Sequence, residues 1–334
     1  MNIAVIGYGY WGPNLVRNFW NTKNCNVLYV TDLKQKNLKS LKRIYPDVVT
    51  DKSFEEILQI PSVDAVVIAT PASTHYSLSR KVLEHNKHVL IEKPMTTSVK
   101  NAQKLIELSK KKKKVLMVDH TYLYTGAIQK IKQIIDKNTI GEIQYIDSTR
   151  INLGLFQSDV NVLWDLAVHD VSICSYLLNK KPISVQAIGQ THTKTKLEDI
   201  AYLTLHFKSN KIAHFNCSWI SPVKIRHMLI GGNKKMIVFN DLESTEKIKV
   251  YDTSFREKKN SGNGNNILAD YRVGDIYVPK ISTREGLSVM AEDFMNAVTR
   301  NKEPISNQNL SLDVVRILEA AEQSIKNNGK EVIL

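Results

Sequence analysis

Residues 1–15 read MNIAVIGYGYWGPNL, and the reading of the whole chain turns on whether Gly7, Gly9 and Gly12 form a nucleotide cradle or only a tight turn. The spacing fits G-x-G-x-x-G, which is a weak signal by itself. Its context adds weight. Asn2 to Ile6 is a short strand-like run, and Pro13 to Trp20 reads as a helix that tolerates proline in its first turn. A second strand-like run, CNVLYVTD, ends in Asp32, twenty residues beyond Gly12, where a carboxylate would bond an adenosine ribose. In such a motif Gly7 permits the turn, Gly9 lets the backbone approach a pyrophosphate, and Gly12 lets helix and strand pack closely. The helix N-terminus adds free N–H donors and the positive end of its dipole. Trp11 either packs beside the cofactor or lies under the helix.

Strand-like and helical runs alternate from residue 1 to about 125: NIAVIG, NVLYVTD, VDAVVIAT, KHVLIEK and KVLMVDH, separated by amphipathic segments. Nearly continuous apolar strands in that order predict a doubly wound parallel sheet covered on both faces, a Rossmann-type α/β domain over 1–125. Beyond Gly126 strand-like runs follow one another: EIQYIDSTRINL, ISVQAIG, IAYLTLHF, KIAHFNCSW, KIRHMLIG and KMIVFND. Residues 126–334 are therefore expected to form an α+β domain with a mostly antiparallel, open-faced sheet, and the last two helical runs could pack back on the first domain. KKNSGNGNN (258–266) reads as a mobile loop or hairpin tip.

A length of 334 residues suits two domains. No secretory apolar segment precedes the first strand and no run approaches membrane-span length, so a cytoplasmic protein with no membrane partner is expected. Cys25, Cys174 and Cys217 are scattered and lack ligand spacing, which argues against a disulfide framework or a metal site. The net charge of +13 favours anionic ligands, yet no nucleic-acid-binding motif is present. Lys110 to Lys114 follow a helical pattern and read as a solvated helix C-terminus.

Two segments carry polar residues at predicted strand ends, where a fold of this class places its ligand. IATPASTHY supplies Thr70, Pro71 and His75; LIEKPM supplies Glu92 and Lys93. His75 suits a structural role better than a cofactor contact. Farther on, VLWDLAVHDVSICSYLL reads as one helix with Asp165 and His169 four residues apart on one face, and with Leu166, Ile173 and Leu177 on an apolar stripe. A carboxylate beside an imidazole is a usable acid/base unit, although an i, i+4 pair of this kind is commonly just a surface interaction.

GYGYWG, DAVVIATPASTH, EKP and the WDLAVHD helix, in this order, resemble the Gfo/Idh/MocA family of oxidoreductases, and the closing pattern EGLSVMAEDFMNAVTRNKEPIS…DVVRILEAAEQS is similar to that family's C-terminal helices. The resemblance implies hydride transfer between a sugar or polyol carbon and nicotinamide C4, with Lys93 and His169 facing the reacting hydroxyl and Asp165 beside them. It also implies cofactor contacts at Gly7, Gly9, Tyr10, Trp11, Gly12, Asp32, Thr70, Pro71, His75, Glu92 and Lys93. Tyr122, Arg150 and Asn152 join Lys93, Asp165 and His169 as expected substrate contacts. Asp32 favours NAD over NADP. The sequence departs from the pattern at Val168 and Gly286, where relatives usually carry proline. A homodimer or homotetramer is expected through the open sheet face. GYGYWGPN, STRINLGLFQSDVNVLWDLAVHD and VGDIYVPKI resemble members acting on nucleotide-linked sugars, notably UDP-N-acetylhexosamine or uronate 3-dehydrogenases, and sugar 3-ketoreductases. Free inositol, a sugar acid, a biliverdin-like pigment and a non-catalytic redox sensor are the alternatives.

Overall fold

A computed structural model describes residues 1–258 and 268–334, so most of the Gly- and Asn-rich stretch 258–266 lies outside the described residues. Contacts divide the chain into two units, Met1–Thr125 with Arg284–Glu319, and Gly126–Thr283 with Ala320–Leu334.

The first unit alternates β1 (Asn2–Ile6), α1 (Gly12–Trp20), β2 (Asn26–Thr31), α2 (Gln35–Ile44), α3 (Phe54–Gln59), β3 (Ala65–Ile68), α4 (Ala72–Glu84), β4 (His88–Glu92), α5 (Val99–Lys112) and β5 (Leu116–Asp119). All strand pairs are parallel, in the order β2-β1-β3-β4-β5. β3 and β5 are buried along their whole length and β1 and β4 nearly so, which is why they read as unbroken apolar runs rather than alternating ones. Strand order reverses between β1 and β3, and the loops after those two strands therefore flank the crevice in which sheets of this kind bind ligands. The lysine run ends α5, with Lys113 in the left-handed region just past the last turn.

The second unit opens with α6 (Gly126–Asp136) and β6 (Ile143–Leu153). A single π-helical turn over Leu163–Ala167 leads directly into α7 (Val168–Leu178). Then come β7 (Ser184–Gln190), β8 (Ile200–Phe207), β9 (Lys211–Ser218), β10 (Ile220–Gly232), β11 (Met236–Asn240), β12 (Ile248–Tyr251), β13 (Ser254–Lys258), β14 (Leu268–Arg272) and β15 (Ile276–Tyr277). α8 (Gly286–Arg300) belongs to the first unit, where Arg17 pairs with Glu285 at 2.7 Å and Phe294 meets Phe19 edge-on. α9 (Gln308–Lys326) ends within the second unit, and β16 (Val332–Ile333) closes the chain.

Among the described residues the large sheet runs β15-β12-β11-β10-β6-β9-β8-β7-β16. Its pairs are antiparallel except for β6 and β9, which run parallel in register from Tyr145–Ile212 to Ile151–Ser218. Inserting β6 between two later strands sets this parallel pair, and no local pattern in β6 announces it. β8 and β9 alternate buried with less buried positions, so one face of the sheet packs on the unit's core while Tyr145, Ile188, Tyr202 and Ile212 stay exposed on the other.

Candidate active site

The glycine-rich turn has the form a dinucleotide requires. Gly7 sits at φ +95°, and a Cβ there would stand 2.6 Å from the Ala69 carbonyl oxygen of the neighbouring loop. A Cβ on Gly12 would collide with the Gly7 carbonyl, whereas Gly9 faces open space into which a side chain would project. α1 begins there with no side-chain cap and no acidic residue in its first turn, leaving its N–H groups and dipole to an anion. Asp32 accepts bonds from the backbone N–H of Tyr8 (2.7 Å), that of Lys34 (2.7 Å) and the Asn37 amide (3.1 Å), so this carboxylate is tied to the glycine-rich turn. A cradle that a Cβ would fill, an uncapped helix start and a fixed carboxylate together fit the pyrophosphate and ribose of NAD. Tyr10 is 80% exposed beside this cradle. Trp11 stands half-buried at the N-cap position of α1, its ring stacked on that of Tyr10 with centroids 6.4 Å apart.

The loops after β3 and β4 carry the next set. Thr70 is half-buried and Pro71 exposed at the start of α4. His75 is buried, with Nδ1 2.7 Å from the Pro94 carbonyl and Nε2 2.9 Å from that of Thr70. The imidazole therefore braces the two loops, in keeping with a structural role. From Val89 to Thr96 every residue is buried except Lys93. Glu92, also expected to touch cofactor, is buried: its carboxyl accepts the Lys93 N–H at 3.1 Å, and burial, with the charge of Asp119 on the neighbouring strand, pushes it well above the usual carboxylate range.

In the second unit the π turn is built by distant side chains. Asn161 Oδ1 accepts the N–H groups of Leu163 (3.1 Å) and Trp164 (3.4 Å), and Asn161 Nδ2 donates to Glu198 at 2.8 Å. The Trp164 indole donates to Glu322 at 2.8 Å. Val168, at the position where proline is usual in the resembling sequences, donates its N–H to the Leu163 carbonyl and so closes the wide turn. Across Val160 to Cys174 only Asp165 and His169 escape full burial. Leu166, Ile173 and Leu177 are buried as the pattern predicts. Asp165 is oriented by Trp219, whose indole N–H donates to Oδ2 at 2.9 Å.

Arg150 takes a different part from the one expected. Its guanidinium is buried and makes a bidentate pair with Asp170, the closest contact being 2.6 Å. The side chain is thus a strand-to-helix tie within the core and not a surface group awaiting a phosphate. Asn152 is half-buried two residues further along β6, near Gly154 and the Trp219 ring. Tyr122 lies half-buried in the short 3₁₀ turn Thr121–Tyr124 after β5, in the first unit.

Sequence reasoning missed Trp219, Asn161, Glu322 and Asp119. Asn161 carried a signal, an N-cap residue type just before an apolar helix. Trp219 lies more than fifty residues from the carboxylate it holds, and nothing local marks it. The three cysteines are buried thiols; burial pushes Cys25 up to about 11 and raises Cys174 and Cys217 as well. Among the described residues no cluster of His, Cys, Asp and Glu could hold a metal ion, and no helix is long and apolar enough to cross a membrane.

Residues 1–120 match the family described as "Oxidoreductase family, NAD-binding Rossmann fold", and residues 128–238 match the GFO/IDH/MocA C-terminal domain. UDP-N-acetylglucosamine 3-dehydrogenase from Acidithiobacillus ferrooxidans is 27% identical over 90% of both chains. Its solved structure superimposes with a TM-score of 0.82 over 98% of both chains, at 21% identity. Myo-inositol 2-dehydrogenase from Thermotoga maritima is 23% identical over 72% of both. An enzyme of gentamicin A biosynthesis, solved in complex with NAD, gives a TM-score of 0.84 at 19% identity, covering 100% of this chain and 96% of its own.

Proposed function

The chain belongs to the GFO/IDH/MocA family of NAD-binding oxidoreductases, and from that premise we propose that it moves a hydride between NAD and C3 of a nucleotide-linked amino sugar or its uronate. The observation that carries the reading is the pattern of exposure: Lys93, Asp165 and His169 are the polar side chains left accessible in two stretches that are otherwise buried. Exposure maintained against such surroundings is what a reacting group needs.

NAD, held by the turn at Gly7, Gly9 and Gly12 and by Asp32, supplies the hydride acceptor at nicotinamide C4. His169 takes the proton of the sugar hydroxyl as general base. The Lys93 ammonium bonds the same oxygen and stabilises the negative charge that develops there. Asp165, oriented by Trp219, fixes His169 or binds an adjacent hydroxyl. Asn152 and Tyr122 are the remaining substrate contacts in this scheme. Asp32 repels a 2′-phosphate, which favours NAD over NADP. A homodimer or homotetramer formed through the exposed sheet face belongs to the same proposal.

Similarity to the UDP-N-acetylglucosamine 3-dehydrogenase over nine-tenths of both chains supports the nucleotide-sugar substrate, as does the net charge of +13. The inositol dehydrogenase relative gives the second reading, a free polyol. A panel of UDP- and dTDP-linked sugars, free sugars and inositol, each with NAD and with NADP, separates the two by nicotinamide absorbance. Turnover of a UDP-amino sugar with NAD is expected; turnover of inositol and of no nucleotide sugar would replace this reading with the second.

A further inference from the structure

A second Asp/His pair lies in the second unit, and the scheme above gives it no part. Residues 191–199, between β7 and β8, read THTKTKLED. Asp199 is fully buried, and both its oxygens hold His192: Oδ2 accepts the backbone N–H at 2.6 Å, and Oδ1 stands 2.8 Å from the ring Nδ1. A carboxylate only accepts, so Nδ1 carries a proton and Nε2 is the nitrogen left for a ligand. The His192 side chain is 55% exposed. A buried carboxylate is costly unless it is bonded, and here both of its bonds go to presenting one imidazole to solvent.

Lys194 and Lys196 follow on the same loop, exposed and, among the described residues, in no ion pair. The loop's other acid, Glu198, is engaged by the Asn161 amide at 2.8 Å. With both acids occupied, the charge this loop offers to a ligand is positive.

The sheet sets the loop beside the π turn. Asp199 donates its N–H to the Gln190 carbonyl at 3.0 Å, Trp219 donates its own to the Asp199 carbonyl at 2.8 Å, and Val162, just before the π turn, donates to the Glu198 carbonyl at 3.0 Å. Asp199 alternates with Ala201 and Trp219 with Cys217, and Ala201 and Cys217 are register partners. The Asp199 and Trp219 side chains therefore leave the same face of the sheet at the same end. Trp219 is the residue that bonds Asp165. At about 4.8 Å per strand, about 10 Å separates the strand end that carries Trp219 from the one that His192 follows. A pyranose ring and the diphosphate attached to it span a comparable length.

We propose that His192, Lys194 and Lys196 form the subsite for the diphosphate of a nucleotide-linked sugar. In its protonated form the ring, held at Nδ1 by Asp199, donates from Nε2 to a phosphate oxygen, and the two ammonium groups neutralise the remaining charge. This inference rests on the nucleotide-sugar reading given above and adds to it the residues that tell such a substrate from a free polyol.

Uridine 5′-diphosphate titrated into the NADH-loaded full chain by calorimetry is the probe, with uridine as the control. His192→Ala, Lys194→Ala and Lys196→Ala should each weaken uridine diphosphate about threefold, and the triple variant about thirtyfold, as separate contacts add. About tenfold more salt should weaken binding to the wild type more than to the triple variant. KM for a UDP-amino sugar should rise in parallel with the dissociation constant of uridine diphosphate. Uridine should bind wild type and variant alike, and NADH affinity and melting curves should not move, which separates lost phosphate contacts from a damaged fold. Equal affinity of wild type and triple variant for uridine diphosphate overturns the inference, as does an equal loss of uridine. If the wild type turns over inositol and no nucleotide sugar, the proposed function is at fault. Binding of uridine diphosphate that the triple variant loses then still upholds the loop as a diphosphate site, and no binding by the wild type removes it.

Discussion

Lys93 and His169 occupy the same kind of position, a half-exposed polar side chain in a run that is otherwise buried, yet different means hold them. The lysine follows a parallel strand and is fixed by short-range bonds: its own N–H to Glu92, and the Pro94 carbonyl to His75 from the next loop. The histidine follows a π turn assembled by Asn161, Glu322 and the Leu163–Val168 bond, and its neighbour Asp165 is held by Trp219. A loop tied by neighbours in sequence leaves a compact motif. A helix tied by distant residues leaves only the helix.

If the two positions are functional equals, removing either side chain should cost alike. Lys93→Met and His169→Asn are each expected to lower turnover about a thousandfold, within the range of lost acid/base or oxyanion-stabilising groups, while NADH still binds as tightly as to the wild type. Stopped-flow turnover and NADH fluorescence titration read the two quantities separately. Near-normal turnover in both would remove the proposed site, and in only one would break the symmetry and leave the other residue as the principal group.

The same contrast explains what could be read from the sequence. The sheet of the first unit was legible: five apolar strands, three glycines and an acid at the end of β2 are all local patterns, and β1 to β5 fall within the runs read from them, but nothing local assigns Arg284–Glu319 to this unit rather than to the second. In the second unit the strands and helices were legible, but the β6–β9 parallel pair and the Trp219–Asp165 bond were not, because both depend on which distant segments meet. Arg150 shows the cost. An arginine on a strand beside a candidate catalytic helix looks like a ligand for phosphate, and only the fold reveals Asp170 against it. Arg150→Met should therefore destabilise the chain by about 3 kcal/mol or more, since it strands a buried carboxylate, with little change in KM for the sugar. Denaturant unfolding checks the first and steady-state kinetics the second. A raised KM at unchanged stability would restore the substrate role.

Acid should act on the first unit through His88 and His120, whose pKa values burial lowers. The His88 Nδ1 accepts the Val115 N–H at 3.0 Å, which requires a neutral ring, and burial with Lys114 nearby holds its pKa down to about 4. Burial, aided by Lys93, lowers His120 to about 3. Both titrate near 6.5 in the unfolded chain, which therefore takes up protons that the folded chain refuses as pH falls below that value. Stability contributed by these rings is full above about pH 6.5 and is lost as pH falls toward 4 for His88 and toward 3 for His120. His120→Leu, which replaces a ring with no bonded nitrogen by an apolar side chain, should flatten thermal stability against pH below 6.5, by about 2 kcal/mol at most once screening and local relaxation are allowed for. An unchanged slope would mean that this ring is protonated in the folded protein.

The smallest expected effect probes the least legible contact. Trp219→Phe keeps the apolar bulk and the edge contact with Phe156 but removes the N–H that bonds Asp165. A lost hydrogen bond to a charged group costs about 1.5 kcal/mol where the partner is part-exposed, so kcat should fall about tenfold. NADH affinity, which the first unit governs, should not move. Asp165→Asn tests whether the indole acts through that carboxylate: with Trp219→Phe it should cost little more than Asp165→Asn alone, because both changes break one bond. Additive losses would mean that Trp219 touches the substrate itself, and the second unit would then owe its chemistry to a residue from the sheet as well as to the helix.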